Sequence, residues 1–217
     1  MRKLVLRMSL SLDGFMCTPE GEINWIFHSR DQQSTAWLLE RLWTVGVHAM
    51  GSRTFRDMAA FWPFSTEPFA APMNEIPKAV FTRNKDFDPA SGAESTRAVR
   101  DAEAARKAAG EGTTTPGPEV ERSWRQPAVY AGDLAEEFRR LKQQEGKPIL
   151  AHGGASFAQN LVATGLVDEY WLMVHPVALG QGRGLFSELQ RPAPLNLVSA
   201  TGFPGGVVAH VYVPRIV

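Results

Sequence analysis

At 217 residues the chain is long enough to bury a sizeable core within one domain, and its 44% hydrophobic and 21% charged residues are ordinary for a globular protein. Lysine plus arginine equals aspartate plus glutamate, 23 each, so the cationic excess that a nucleic-acid partner would require is missing and none is expected. Apolar runs such as residues 171–174 are far too short to span a bilayer, the N-terminus shows no signal-peptide pattern, and the single cysteine, Cys17, has no partner for an internal disulfide; the expectation is a cytoplasmic protein with no membrane attachment.

The run Leu4-Val5-Leu6-Arg7-Met8-Ser9-Leu10 predicts a buried strand closed by the turn Asp13-Gly14. Residues 21–25 read as a loop or short extended piece. Ser29 or Asp31 can cap a helix over 32–45, with Trp37, Leu38, Leu42 and Val45 on one face. A short strand over 47–51 ends in Gly51, a short helix over 52–60 stops before Pro63, and a third strand covers 78–82. Residues 90–123 contain no Leu, Ile, Met or aromatic residue, and Val99 and Val120 are their only bulky apolar groups; they read as a solvated insertion in a single domain spanning 1–217. The core pattern resumes with a strand over 128–131, a helix capped by Asp133, a strand over 147–152, the turn Gly153-Gly154, a helix over 156–164 and a strand over 169–174. Residues 195–202 and 207–213, joined across Gly205-Gly206, read as an antiparallel hairpin. Strands alternating with helices imply an α/β protein with a mostly parallel sheet covered on both faces.

Ligands of such sheets bind at the carboxyl ends of the strands, where three junctions carry suitable chemistry. Gly153-Gly154-Ala155-Ser156 lets backbone approach a ligand and then starts a helix, whose free N–H groups suit a diphosphate. Gly51-Ser52-Arg53-Thr54 is a second strand-to-helix junction with a cation and a hydroxyl added. Thr82-Arg83-Asn84-Lys85 reads on its own as a solvated, charged loop, and it also offers two cations to the phosphate that distinguishes NADPH from NADH.

In this order the junctions, together with Ser11-Leu12-Asp13-Gly14-Phe15, Phe61-Trp62-Pro63, Gly132-Asp133-Leu134, Gly165-Leu166-Val167-Asp168-Glu169 and Pro176-Val177-Ala178-Leu179-Gly180-Gln181-Gly182 followed by Leu185-Phe186, resemble the dihydrofolate-reductase-like family. That superfamily includes dihydrofolate reductase and the reductase domain of riboflavin biosynthesis, and the likeness covers nearly all of the chain outside 90–123. The resemblance implies a three-layer α/β/α fold, NADPH as cofactor and a homodimer. It also implies hydride transfer to a small conjugated or heterocyclic substrate of the pterin or riboflavin-precursor pyrimidine type. Ser52 stands where dihydrofolate reductases place an arginine, and Arg53 follows one residue later.

Two carboxylates compete for roles at the acceptor. Asp31 falls near the place of the dihydrofolate reductase acid, and a carboxyl group enclosed by Trp25, Phe27 and Trp62 would have its pKa raised; helix capping explains the same residue equally well. Asp13 resembles a substrate-contacting aspartate of riboflavin-type reductases, or is simply a turn residue. Trp25 and Trp62 are candidates for a flat-ring pocket. The five histidines show no metal-ligand spacing, and no metal is expected. Gly180-Gln181-Gly182-Arg183-Gly184 fails the dinucleotide fingerprint because Leu185 stands at its last glycine position. The other class left open is a ligand-binding relative that kept the fold without catalysis.

Overall fold

The apolar run near the N-terminus forms β1 (Leu4–Leu10), the strand on which the molecule is organised. The computed structural model describes residues 1–91 and 96–215. Along the chain follow α1 (Gln32–Leu42), β2 (Val47–Gly51), α2 (Ser52–Phe61), α3 (Ala70–Glu75), β3 (Lys78–Phe81), α4 (Arg97–Ala108), α5 (Pro118–Arg125), β4 (Ala128–Tyr130), α6 (Leu134–Gln143), β5 (Ile149–His152), α7 (Ala155–Ala163), β6 (Glu169–Val174), β7 (Leu195–Gly202) and β8 (Val208–Pro214). They build one eight-stranded sheet in the order β4-β3-β2-β5-β1-β6-β8-β7. The first five pairings are parallel, and β8 pairs antiparallel with both β6 and β7.

Side chains of a strand alternate between the two faces of a sheet, and β1 shows what each face is for. Leu4, Leu6, Met8 and Leu10 pack with Phe138 and Leu141 of α6 and Ala158 and Leu161 of α7. Val5 packs on the opposite face with Leu38 and Leu42 of α1 and Trp171 of β6. Arg7 and Ser9 continue that second face toward the carboxyl end of the strand. Further along it, Met50, Val80, Phe55 and Trp124 form a third cluster under α2, α3 and α5. The sheet is thus enclosed between two helical layers, and no helix among the described residues is long and apolar enough to cross a membrane.

Of the stretch expected to be solvated, residues 92–95 lie outside the described residues, and the described part holds more helix than its composition suggests. It contributes α4 and most of α5, and α4 lies against α2. Val99 is buried, Thr96 donates to Asp57 on α2 at 2.7 Å, and Arg97 pairs with Glu22. Val99 is the buried residue of this helix; Ala98, Asp101, Ala102, Ala105 and Arg106 are half-buried beside it, and the rest are exposed. The α1 helix stops at Leu42 rather than 45, and β5 begins at Ile149 rather than 147. Pro148 removes an amide donor just before that strand.

Candidate cofactor and substrate site

Register brings the three strand-end junctions together. Gly51 of β2 is opposite Phe81 of β3, and Ala49 is opposite Ala151 of β5. The residues that follow these strands therefore leave the same edge of the sheet side by side.

Two helices start at that edge without a side-chain cap. Asp31, Thr96 and Asp133 each accept a backbone N–H at the start of α1, α4 and α6. By contrast, α2 starts from Gly51 and α7 from Gly154, and neither has a side-chain cap bond. The first N–H groups of a helix need a partner, and at α2 and α7 a bound anion can provide it. The two helix starts touch: a Cβ on Gly154 would stand 2.7 Å from Oγ1 of Thr54. Glycine is required there for space, since its backbone angles (φ −129°, ψ 136°) suit any residue. Arg53 is exposed in the first turn of α2, and Ser52 is half-buried beside it.

The loop after β3 is built for display. Thr82 donates its N–H to Tyr130 O, Thr82 Oγ1 accepts from the Asn84 N–H at 3.0 Å, and Asn84 Oδ1 accepts from Asp86. This ordered turn leaves Arg83 and Lys85 exposed, and among the described residues neither forms a salt bridge.

A further cation arrives from a loop that sequence reasoning passed over. Residues 180–184 pair with the segment after β1: Phe15 bridges Gly184, Met16 N–H donates to Arg183 O, and Arg183 N–H donates to Cys17 O. That anchoring sends the Arg183 guanidinium to Ser156 Oγ, 2.8 Å away, in the first turn of α7. The signal was the glycine spacing, which failed as a dinucleotide fingerprint and left the arginine inside it unweighed.

Both candidate carboxylates turn out to be structural acceptors. Asp13 receives Ser11 Oγ at 2.6 Å and the N–H groups of Leu179 and Gly180, tying the end of β1 to the loop after β6. The Ser11 hydroxyl, with the Gly180 and Leu179 amides, holds its carboxyl down to about 2. Asp31 caps α1 through Gln33 and Ser34 and accepts from the Gly205 N–H at 3.1 Å. Desolvation works to raise its pKa, but the donors Ser34, Gly205 and Gln33 outweigh it and the net shift is downward. The expectation of a raised carboxyl is therefore corrected: backbone donors, not aromatic rings, surround it. Trp25 is buried and meets His175 edge-on at 5.4 Å. Trp62 packs edge-on against Phe61 and Phe69, and its carbonyl accepts from Asn74.

Under the start of α1 two arginines and a histidine meet apolar walls. A cavity of about 50 Å³ is lined there by Arg7, Arg30 and His175 together with Leu38, Met173 and Val207, among others. Arg30 is balanced by the buried Glu67 at 2.7 Å. Burial lowers the Arg7 guanidinium to about 10, and the nearby Arg30 adds to this. Burial likewise lowers His175 to about 4, with a smaller contribution from Arg7.

With this geometry in place, likeness to known proteins can be read. Residues 2–209 match the RibD C-terminal domain, and the chain belongs to that family. It is 27% identical over 217 residues to the uncharacterized protein YyaP of Bacillus subtilis (strain 168), covering 97% of this chain and 94% of that one. Among solved structures, a putative riboflavin biosynthesis protein from Shewanella sp. PV-4 superposes with a TM-score of 0.63 at 20% identity, covering 99% of both chains. Dihydrofolate reductase from Enterococcus faecalis, complexed with NADP(H) and RAB-propyl, superposes with a TM-score of 0.55 at 13% identity, covering 99% of this chain and 97% of that one. The chain thus shares the fold of these two solved structures.

Proposed function

We propose that the protein is an NADPH-dependent reductase that transfers a hydride to a small conjugated or heterocyclic acceptor. The observation that carries this reading is the meeting of two uncapped helix starts, at Thr54 and Gly154, beside a loop that displays Arg83 and Lys85. An anionic diphosphate satisfies free N–H groups and the positive end of the helix dipole at once. Gly51, Ser52, Arg53 and Thr54 take one side of it, and Gly153, Gly154, Ala155 and Ser156 the other. Arg183, positioned on Ser156, adds charge to the second side. Thr82 and Asn84 hold the turn from which Arg83 and Lys85 reach a 2′-phosphate, a contact strengthened by charge. Bound here, NADPH supplies the hydride.

The acceptor stands on the neighbouring strands, at the ends of β1 and β6. Asp13 and Asp31 are ionised near neutral pH by the direction of their shifts, so neither is the proton donor in this reading. Their work is to hold the segments around the acceptor, and an ordered water delivers the proton. A cytoplasmic location and a homodimeric state are parts of the same proposal. The test is NADPH consumption, followed at the nicotinamide absorbance, against dihydrofolate, riboflavin-precursor pyrimidines and simple carbonyls. Turnover of any of them supports the reading. NADPH bound but never consumed by any acceptor would replace it with a binding protein of the same fold.

A further inference from the structure

We propose that the cavity beneath the start of α1 binds a carboxylate of the acceptor substrate, held between the Arg7 guanidinium and Nε2 of His175. The inference rests on the reductase reading only for the word acceptor; the anion site stands on the cavity's own groups.

The side chain of Arg7 has no hydrogen bond and no salt bridge among the described residues, and its Nε is buried without a partner. His175 is 4% exposed, and its Nε2 is also buried and unpartnered. Ser9, on the same face of β1 two residues beyond Arg7, has a third orphaned atom in its buried hydroxyl. Buried polar groups are almost always bonded, and of these three residues Arg7 and His175 line the same cavity.

The sign of that partner follows from the surroundings. Arg7 and Arg30 line the same cavity, and the acids nearby are engaged elsewhere. Glu67 is bonded to Arg30, and Asp31 is bonded to Gln33, Ser34 and Gly205. Ser29 Oγ stands 2.8 Å from Nδ1 of His175. With that hydroxyl donating, the ring hydrogen lies on Nε2, which is buried and has no partner. A guanidinium fork and an imidazole N–H are both donors, and a carboxylate accepts from both.

Shape favours a planar anion. About 50 Å³ is roughly the space of a few water-sized groups. A carboxylate fits that space, and its two oxygens match the flat guanidinium fork. The polarity also separates this site from a pterin pocket, whose amidine-like edge needs an accepting carboxylate. Here the cavity offers donors, and the acid at the start of α1 is turned to Gly205.

The test is thermal unfolding of the whole protein in sodium acetate against sodium chloride at equal ionic strength. Near ten times its Kd, acetate should raise the melting temperature of the wild type by roughly 3–6 °C over chloride. Arg7→Met keeps the stem and removes the charge; it should melt at or above the wild type in chloride and gain nothing from acetate. Arg7→Lys, which keeps the charge but not the fork, should retain a reduced acetate shift and covers the case in which Arg7→Met does not fold. Equal melting of the wild type in acetate and chloride would overturn the proposal. So would an undiminished acetate shift in Arg7→Met, or a larger shift with inorganic phosphate than with acetate. NADPH titration run in parallel separates the two claims. NADPH binding with no acetate effect overturns the carboxylate site alone, whereas an Arg7-dependent acetate effect without NADPH binding supports the site and overturns the reductase reading.

Discussion

His152 and His48 are joined by a 2.8 Å hydrogen bond from Nε2 of His152 to Nδ1 of His48, directly below the Gly153-Gly154 turn. The direction of the bond follows from the next link. His48 Nε2 lies 3.1 Å from Pro72 O, and a carbonyl can only accept, so Nε2 carries the hydrogen and Nδ1 is left as an acceptor. Both rings are neutral in this arrangement. Lys78, on β3 beside His48, is buried and donates to Asn74 O and Ser123 Oγ. The row Lys78, His48, His152 and Arg7 has no carboxylate bonded to any member among the described residues.

Stability should therefore rise with pH over an unusually wide range. Burial, despite the bond to Pro72, lowers His48 to about 4, and burial with the charges of His48 and Arg7 lowers His152 well below 6.5. Between about 4 and 6.5 the unfolded chain binds protons that the folded one does not, so stability falls as pH falls, by up to about 1.4 kcal/mol per pH unit for each histidine. Burial lowers Lys78 to about 7, so the same sign applies from there up to its ordinary 10.5. Melting curves from pH 4 to 10 check this, and His48→Gln should flatten the acid limb. A melting temperature that peaks near pH 6 and falls on both sides would contradict it.

Gly154→Ala probes the cradle by its dimensions. The new Cβ would meet Thr54 Oγ1 at 2.7 Å, so either Thr54 must change rotamer or α2 and α7 must move apart. Overpacking of this kind costs about 1–3 kcal/mol, and the affinity for NADPH should fall at least about tenfold, or 1.4 kcal/mol. Adding Thr54→Ala should restore the melting temperature. Calorimetry and melting on the single and double variants give the answer, and unchanged NADPH affinity in Gly154→Ala would remove this turn from the cofactor site.

Asp31 should behave as a cap. Asp31→Ala is expected to cost about 1 kcal/mol of stability, within the usual 0.5–2 for a lost N-cap. Asp31→Asn keeps an accepting oxygen and should cost less. Turnover on a good substrate should stay within a few-fold in both. A hundredfold loss of turnover in Asp31→Asn with an unchanged melting temperature would return the proton-donor role to this residue.

Much of this was legible in the sequence because local signals agreed with the fold. Strand runs closed by glycine and helices opened by aspartate gave elements that differ from the structure by only a few residues. The junctions at 51–54, 82–85 and 153–156 were found because parallel strands place their carboxyl ends on one edge. The cavity was not found, since Arg7 reads as a lone charge inside an apolar run, and His175 as a strand-end residue. Only the pairing of β1 with β6 makes them neighbours, and pairing across 160 residues leaves no local pattern. In the described part of 90–123 most residues are exposed, and its anchors, Val99 and the adjoining Trp124, are single residues that composition averages away.

The β7 edge carries an assembly prediction. Leu197 and Val198 are 55% and 61% exposed on a strand that ends the sheet, at a break in its register with β8. Open apolar edges are ordinarily covered. A homodimer at micromolar concentration is expected by light scattering, and Leu197→Glu should yield monomers that keep their melting temperature. A wild-type monomer at that concentration would refute the assignment.

The central claim is that the edge formed by β2, β3 and β5 holds NADPH. Calorimetric titration of the wild type and of an Arg83→Ala, Lys85→Ala double variant with NADPH and NADH addresses it most directly. The wild type should bind NADPH at least about tenfold more tightly than NADH, a difference of roughly 1.4 kcal/mol that charge-assisted contacts to one phosphate readily supply. The double variant should bind both cofactors with nearly the affinity the wild type has for NADH. No binding of either cofactor to the wild type, or a preference for NADPH that survives the loss of both cations, would contradict the account.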